Sequence, residues 1–275
     1  MRAKKSLGQN FLNSKTVARD IVEAGELSST DTVLEIGPGK GFLTEGLLAS
    51  GAHVIAVEKD DRMIPLLEEK FAEEIKNKKF TLVHGDIVEL LTHQNFFTKN
   101  LGGQNYKIVA NIPYYITGYI LRAFLETTAK PDRMILMLQR EVADRIIARD
   151  KKESILSIAT KIYGTPRMVK KVPARYFTPA PNVDSAVIAI EQISSKNFAT
   201  AETEKLFFTI LKTGFAHKRK QLAGNLKQLL SEETLSLLEQ SGIQKNARAE
   251  DVPLEQWLLL AQHTERTKIV LAKSS

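Results

Sequence analysis

The run Thr32-Val33-Leu34-Glu35-Ile36, followed at once by Gly37-Pro38-Gly39-Lys40-Gly41, leaves little freedom for the fold around it. β-Branched residues favour a pleated strand, and the glycines allow turn conformations that other residues avoid. Phe42, Leu43, Leu47 and Leu48 then recur at helical spacing. Strand, glycine turn and helix together open a βα unit, which presents its ligand at the carboxyl end of a parallel strand. Later apolar runs repeat the pattern: His53–Val57, Phe80–His84, Ile108–Ala110 and Arg133–Leu138 read as strands, with Arg167–Val172 and Ser185–Ile190 closing the series. Helical patterns over 139–149 and 155–163 fall between them. The expected fold is α/β, Rossmann-like, with a seven-stranded, mostly parallel sheet.

The strand ends carry the chemistry. Gly37 follows the first strand, Glu58 the second and Gly85-Asp86 the third, while Asn111 follows the apolar run Ile108-Val109-Ala110. A parallel sheet lines such residues along one edge. An acid about twenty positions after the glycine turn is placed to accept ribose hydroxyls, and Asp86 can accept from an adenine amino group. Taken singly, each acid is equally readable as a polar strand end. The glycine spacing is G-x-G-x-G, without the third glycine of a dinucleotide fingerprint. Glu35 would also repel a diphosphate, yet it suits a cation. Both departures point from a nicotinamide cofactor toward S-adenosylmethionine, with its ammonium and sulfonium groups.

What such an electrophile could act on is suggested by Asn111-Ile112-Pro113-Tyr114. Pro113 has a fixed φ and holds Ile112 extended. The turn thereby gathers an amide oxygen, two carbonyls and an aromatic ring. An exocyclic amine can donate one hydrogen bond to the amide and another to a carbonyl while its base stacks on Tyr114. A plain Pro/Tyr turn is the competing reading. Phe177 opens the stiff loop Phe177-Thr178-Pro179-Ala180-Pro181 and is read either as a packed anchor or as a second stacking face.

Composition narrows the choices. The 275 residues contain no cysteine, which excludes disulfides, thiolate metal sites and a cysteine nucleophile and fits a reducing cytoplasm. His53, His84, His93, His217 and His263 are scattered without ligand spacing, so no metal is expected. Arg2, Lys4 and Lys5 are followed by no apolar signal segment, and no apolar run approaches bilayer length. A net charge of +7 favours a polyanionic partner, nucleic acid before membrane. Basic residues gather at Arg2/Lys4/Lys5, at Lys161 to Arg175 and at His217-Lys218-Arg219-Lys220.

Beyond Ser194 strand patterns stop. Leu206/Phe207/Ile210/Leu211, Leu226/Leu229/Leu230, Leu235/Leu238 and Leu254/Trp257/Leu258/Ala261 all fit helices. Two domains are therefore expected, 1–193 and a small all-helical 194–275. The run 217–220 lies at a helix start and reads as a solvated face or a phosphate contact. Near the N-terminus, Ser14 is placed to cap a helix carrying Val17, Ala18, Ile21 and Val22. By itself, Gln9-Asn10-Phe11-Leu12 reads as the lead-in to that helix.

Together these motifs resemble the ribosomal RNA adenine dimethyltransferases, and within them the housekeeping branch that acts on the small subunit. The likeness runs through Ser6-Leu-Gly-Gln-Asn-Phe-Leu12, Glu35-Ile-Gly-Pro-Gly-Lys-Gly41, Asn111–Tyr114, Phe177-x-Pro-x-Pro-x-Val-Asp-Ser185 and Phe215–Leu222 with Asn225-Leu226, nearly the whole chain. It implies a class I methyltransferase fold and methyl transfer from S-adenosylmethionine to N6 of two adjacent adenosines in a 3′-terminal hairpin of 16S rRNA. It further implies a role in small-subunit biogenesis for a cytoplasmic monomer without metal. By the same resemblance Asn10 and Leu12 cover the cofactor, with Gly37, Glu58, Asp86 and Asn111 lining it. Asn111, Pro113 and Tyr114 carry catalysis, while Tyr114, Phe177, Lys218 and Arg219 meet the RNA. One departure is the run His217-Lys218-Arg219-Lys220, where the family pattern has Gln-Arg-Arg-Lys; lysine does not reproduce bidentate phosphate recognition by arginine. Two alternatives are a 23S rRNA methylase of the antibiotic-resistance type, which shares the Asn-Ile-Pro-Tyr turn, and a non-catalytic RNA-binding assembly factor.

Overall fold

The β-branched and aliphatic runs become the seven strands of the main sheet, and the described residues hold two further short strands. The computed structural model describes residue 4, residues 8–92, residue 101 and residues 105–274, with side chains as far as residue 267. Arg2, Lys5, Ser6, Leu7 and His93 lie outside the described residues. The strands are β1 (Phe11–Leu12), β2 (Thr32–Ile36), β3 (His53–Glu58), β4 (Phe80–His84), β5 (Tyr106–Asn111), β6 (Arg133–Gln139), β7 (Thr165–Val172), β8 (Phe177–Thr178) and β9 (Ser185–Glu191).

The sheet runs β4-β3-β2-β5-β6-β9-β7. Its first five strands are parallel, and β9 runs antiparallel to both β6 and β7. From β2 the chain steps outward to β3 and β4, then returns to β5 on the other side of β2. That reversal is the topological switch point where ligands of open α/β sheets bind, outside the carboxyl ends. The central strands are covered on both faces and are apolar nearly throughout: β2 is buried over its whole length, and Ile108, Val109 and Ala110 of β5 are fully buried. This explains why alternation is weak in their sequences.

Helix α1 (Lys15–Ala24) starts where predicted, with Ser14 Oγ accepting from the Val17 amide. It buries Val17, Ala18 and Ile21. What the sequence did not reveal is that the segment before it is a strand. β1 pairs antiparallel with β8, matching Leu12 with Phe177 and Phe11 with Thr178. Asn13 reinforces this pairing, donating through its backbone to the Tyr176 carbonyl (2.9 Å) and through Nδ2 to Thr178 Oγ1 (2.9 Å). A lead-in alone accounts for none of these bonds.

The described chain divides into two compact units, Met1–Ala143 with Gly164–Ile193, and Asp144–Tyr163 with Ser194–Ser275. The sequence-based division after residue 193 keeps residues 144–163 with the sheet. Strand pairing skips that segment, and in the structure it groups with the helices. The second unit comprises the helices Ile155–Lys161, Ala201–Gly214, Leu222–Leu230, Thr234–Gln240 and Leu254–Ser274. Its core includes Phe207, Ile210, Leu226, Leu238 and Trp257, all nearly inaccessible. Tyr163, Phe198, Phe207 and Phe208 form an aromatic cluster with centroids 5.3–6.3 Å apart, a spacing that stabilises beyond area burial. No described helix is long and apolar enough to cross a membrane.

Candidate active site

A cavity with about 1070 Å³ of empty volume, part of it open to solvent, lies at the switch point within the first unit. Its lining brings together Asn10, Leu12, Gly37, Glu58, Asp86, Asn111, Pro113 and Tyr114, which the sequence places on separate segments. Phe177, Lys218 and Arg219 are not among its lining residues.

Each strand end is held by its own hydrogen bonds. The glycine turn leaves β2 with Gly37 at φ 68° and Gly39 at φ 57°, both in the left-handed region. A side chain added at Gly39 would meet the Phe11 ring at 3.0 Å, so this glycine lets β1 close over the turn. At Gly37 the opposite holds: an added Cβ meets nothing within 4 Å and would point into open space. Lys40 Nζ stands over the Phe11 ring, 5.0 Å from its centroid.

Glu58 ends β3 almost fully buried. Its Oε2 accepts from the Gly39 amide (2.9 Å) and its Oε1 from the Asp60 amide (2.7 Å). Burial pushes its carboxyl upward, against those two backbone bonds. Each oxygen retains acceptor capacity. Glu35 lies deeper, 1% exposed, and accepts from Thr44 Oγ1 at 2.7 Å. Burial pushes it up to about 8, so near neutrality much of it is a protonated carboxyl. Asp86 caps the short helix Ile87–Leu90 through Val88 N (2.9 Å), and Lys59 Nζ approaches its other oxygen at 2.5 Å. That ion pair holds the Lys59 ammonium above the ordinary lysine range.

Asn111 is the last residue of β5. Its Nδ2 donates to the Asn10 carbonyl at 3.3 Å, which ties it to the segment before β1 and leaves Oδ1 as the free acceptor. The next two carbonyls differ. Pro113 O accepts from Ile116 N at 3.2 Å, starting the 3₁₀ turn Tyr114–Ile116, whereas no donor among the described residues reaches Ile112 O. Tyr114 is half-buried, its hydroxyl 2.7 Å from Ser185 Oγ at the start of β9. Burial raises the phenol, so the ring stays neutral and anchored by its tip.

Phe177 is 3% exposed and belongs to the main apolar core, its backbone paired with Leu12. The structure brings it beneath the segment that covers the cavity and not to the cavity itself. Lys218 and Arg219 sit in an exposed turn between two helices of the second unit. Asn225 pins that turn, donating from Nδ2 to the carbonyls of Gly214 (2.6 Å) and His217 (3.1 Å).

The sequence reading missed Asp60. It looks like one of several charges in Lys59-Asp60-Asp61-Arg62, yet its side chain is fully buried. Gln9 Nε2 donates to it at 2.8 Å, Arg62 donates from Nε at 2.9 Å and Nη2 at 2.6 Å, and Lys4 Nζ stands 3.4 Å away. The Arg62 guanidinium holds this carboxyl well below the usual range. Asp60 thereby latches the N-terminal segment to the end of β3, where its own amide also donates to Glu58. Only burial separates it from its neighbours, and no sequence signal carried that.

Comparison with known proteins bears on the family and the fold. A family model described as ribosomal RNA adenine dimethylase matches residues 1–266. The "Ribosomal RNA small subunit methyltransferase A" of Dehalococcoides mccartyi strain 195 is 40% identical over 265 residues, 94% of this chain and 88% of the relative. The protein of the same name from Thermosynechococcus vestitus is 39% identical, covering 95% of this chain and 97% of its own. Among solved structures, a dimethyladenosine transferase from Plasmodium falciparum superposes with a TM-score of 0.80 at 24% identity, covering 94% and 98%. The 23S rRNA methyltransferase ErmE gives 0.75 at 24% identity, covering 93% and 100%. At that identity these two establish the shared fold, the Rossmann-like class I methyltransferase fold, and nothing finer. The match across residues 1–266 and the near-40% identity over almost the full length show that this chain belongs to the ribosomal RNA adenine dimethylase family.

Proposed function

We propose that this enzyme transfers methyl groups from S-adenosylmethionine to N6 of two adjacent adenosines in the 3′-terminal hairpin of 16S rRNA, on the small ribosomal subunit or its precursor. The observation that carries the reading is the pair of free acceptors at the end of β5, Asn111 Oδ1 and the Ile112 carbonyl, beside an anchored aromatic ring.

S-Adenosylmethionine is the methyl donor of this family, and the residues present fit it. Gly37 leaves an open cradle that a Cβ would fill, and Glu58 offers spare acceptor capacity for vicinal hydroxyls. Asn10, Leu12, Gly37, Glu58, Asp86 and Asn111 would hold it. When bound it supplies a sulfonium methyl, an electrophile that asks only for a correctly placed lone pair.

Placing that lone pair is the work of this chain. The N6 lone pair of adenine is delocalised into the ring and is a poor nucleophile. Donating one N–H to Asn111 Oδ1 and the other to the Ile112 carbonyl favours a pyramidal nitrogen, whose lone pair then points out of the ring. Pro113 fixes the turn on which both acceptors depend. Its own carbonyl already accepts from Ile116 N, which makes the Ile112 carbonyl, with no donor among the described residues, the freer acceptor for the second N–H. Tyr114 stacks on the purine, a contact worth ~1–3 kcal/mol per base, with its hydroxyl held by Ser185. Proximity and orientation supply much of the rate, up to a general ceiling of ~7–11 kcal/mol. No general base is required, because the alkylated amine is acidic enough to release its proton to water. The acceptor adenosine must leave its stack to reach the cavity.

In this reading residues 1–193 carry methyl transfer and 194–275 recognise the ribosomal particle, with Lys218 and Arg219 on phosphates. Phe177 supports the cover from below, consistent with its burial. The enzyme acts as a cytoplasmic monomer. The test is to incubate it with free 30S and 50S particles from cells lacking the activity and to identify the modified nucleosides by mass spectrometry. N6,N6-dimethyladenosine in small-subunit RNA is expected, and Asn111→Ala should abolish it while S-adenosylmethionine still binds. Label confined to large-subunit RNA, or near-normal turnover by Asn111→Ala, would overturn the assignment.

A further inference from the structure

Tyr115 follows the acceptor turn directly, and neither the transfer chemistry nor the core uses it. It is 64% exposed, the highest exposure of any large apolar side chain among the described residues. It is also the only one of those exposed side chains that lines the cavity. Gly8, at φ 61°, lies against the ring, and a Cβ there would meet Cδ1 and Cε1 at 3.6 Å. Nearby tyrosines have their hydroxyls tied: Tyr114 to Ser185 Oγ at 2.7 Å and Tyr119 to the Val88 carbonyl at 3.1 Å. No hydrogen bond holds the Tyr115 hydroxyl among the described residues. A ring of this size left in water at the mouth of a reaction cavity is a surface awaiting a partner.

We infer that Tyr115 is a second stacking platform, for the nucleobase that flanks the acceptor adenosine. The inference rests on the function proposed above. Drawing one base out of a stack costs a few kcal/mol and strips its neighbour of a stacking partner. The neighbour's exposed face follows the acceptor to the mouth of the cavity, because the two share one phosphodiester. Tyr114 and Tyr115 have Cα atoms about 3.8 Å apart, as any consecutive residues do, so two rings for two adjoining bases are available on one short turn. An aromatic face accepts any base, and purines stack better than uridine. The platform therefore selects for a purine beside the acceptor, a preference matched to a substrate with two adjacent adenosines.

The experiment uses small-subunit particles reconstituted with 16S rRNA transcripts that carry either a purine or uridine beside a single acceptor adenosine. Methyl transfer is measured as kcat/KM for the wild-type enzyme, Tyr115→Phe and Tyr115→Ala, with S-adenosylmethionine affinity measured separately by calorimetry. The wild-type enzyme should favour the purine-flanked particle about threefold, a fraction of the effect that a whole base stack supports. Tyr115→Phe should keep the preference, and Tyr115→Ala should lose it by falling to the uridine level, with cofactor affinity unchanged. A purine preference that survives Tyr115→Ala, the lack of any preference in the wild-type enzyme, or a loss traced wholly to weaker cofactor binding would overturn the inference. Asn111→Ala in the same assay separates the two ideas. If it retains turnover the proposed function itself fails, whereas an inactive Asn111→Ala beside an indifferent Tyr115→Ala removes only the platform.

Discussion

The switch-point cavity and the basic turn at 217–220 are both rich in polar residues, but they are built on opposite principles. In the cavity nearly every functional group is fixed by another: Glu58 by two backbone amides, Asn111 by the Asn10 carbonyl, Tyr114 by Ser185, and the N-terminal cover by Asp60. In the basic turn only the backbone is pinned, through Asn225, while the side chains of residues 217–220 are exposed. Transition-state work needs groups whose geometry is settled before the substrate arrives. Long-range attraction to a phosphate chain needs only charge, and tolerates side chains that settle on contact. A cavity of this kind is therefore sensitive to single atoms and the turn to charge count.

That contrast can be broken at several points. The largest effect is expected from pH acting on Glu35. Burial raises this carboxyl to about 8, so the folded protein holds a proton that the unfolded chain releases above its ordinary value of 4.5. Its contribution to stability is complete below that value and is lost as pH climbs to about 8, at up to ~1.4 kcal/mol per pH unit. Denaturant unfolding of the ligand-free protein at several pH values should show that decline, and Glu35→Gln should flatten it. A variant with the same slope as the wild-type protein would mean that the carboxyl is solvated in the fold.

Next in size is Gly37→Ala. Its methyl would enter the open cradle, where overpacking costs roughly 1–3 kcal/mol. S-Adenosylmethionine affinity should drop about ten- to a hundredfold by calorimetry. Unchanged affinity would show that the cradle is not where the ligand rests. The smallest effect is expected at the basic turn. Replacing Lys218 and Arg219 together by alanine should weaken particle binding uniformly, reduce the slope of log K against log salt by about two, and leave cofactor binding alone. A loss confined to one RNA sequence would instead make this turn a preorganised reader, and the contrast between the two regions would collapse.

Much of the cavity was legible because local patterns reported it. Glu58, Asp86 and Asn111 each follow a strand that is apolar enough to be recognised, and parallel pairing places successive carboxyl ends on one edge whatever the intervening helices do. Most of the helical unit was equally legible from its apolar spacing; residues 144–163, kept with the sheet in the sequence reading, were not. Residues whose roles depend on partners far along the chain were not. Phe177 reads alone as a loop aromatic, and its pairing with Leu12 spans 165 residues in a ladder only two residues long, too short to leave a strand pattern. Asp60 is chemically indistinguishable from Asp61 until burial separates them, at 0% and 76% side-chain exposure. The choice between the Ile112 and Pro113 carbonyls was likewise open in the sequence; the 3₁₀ turn gives Pro113 O one donor and leaves Ile112 O without one among the described residues.

The sequence by itself determined the order along the chain of the strands in the main sheet, the glycine turn and the identity of the groups at the strand ends. Each of these follows from conformational preference and periodicity within a few residues. Tertiary structure decided which of those groups are already satisfied and which remain free to bind. It engaged Asn111 Nδ2 and left Oδ1, gave the Pro113 carbonyl a donor and that of Ile112 none among the described residues, buried Phe177 and Asp60, and left Tyr115 in water. The physical reason is that hydrogen-bond satisfaction and burial are properties of the packed whole, fixed only when segments distant in sequence come together.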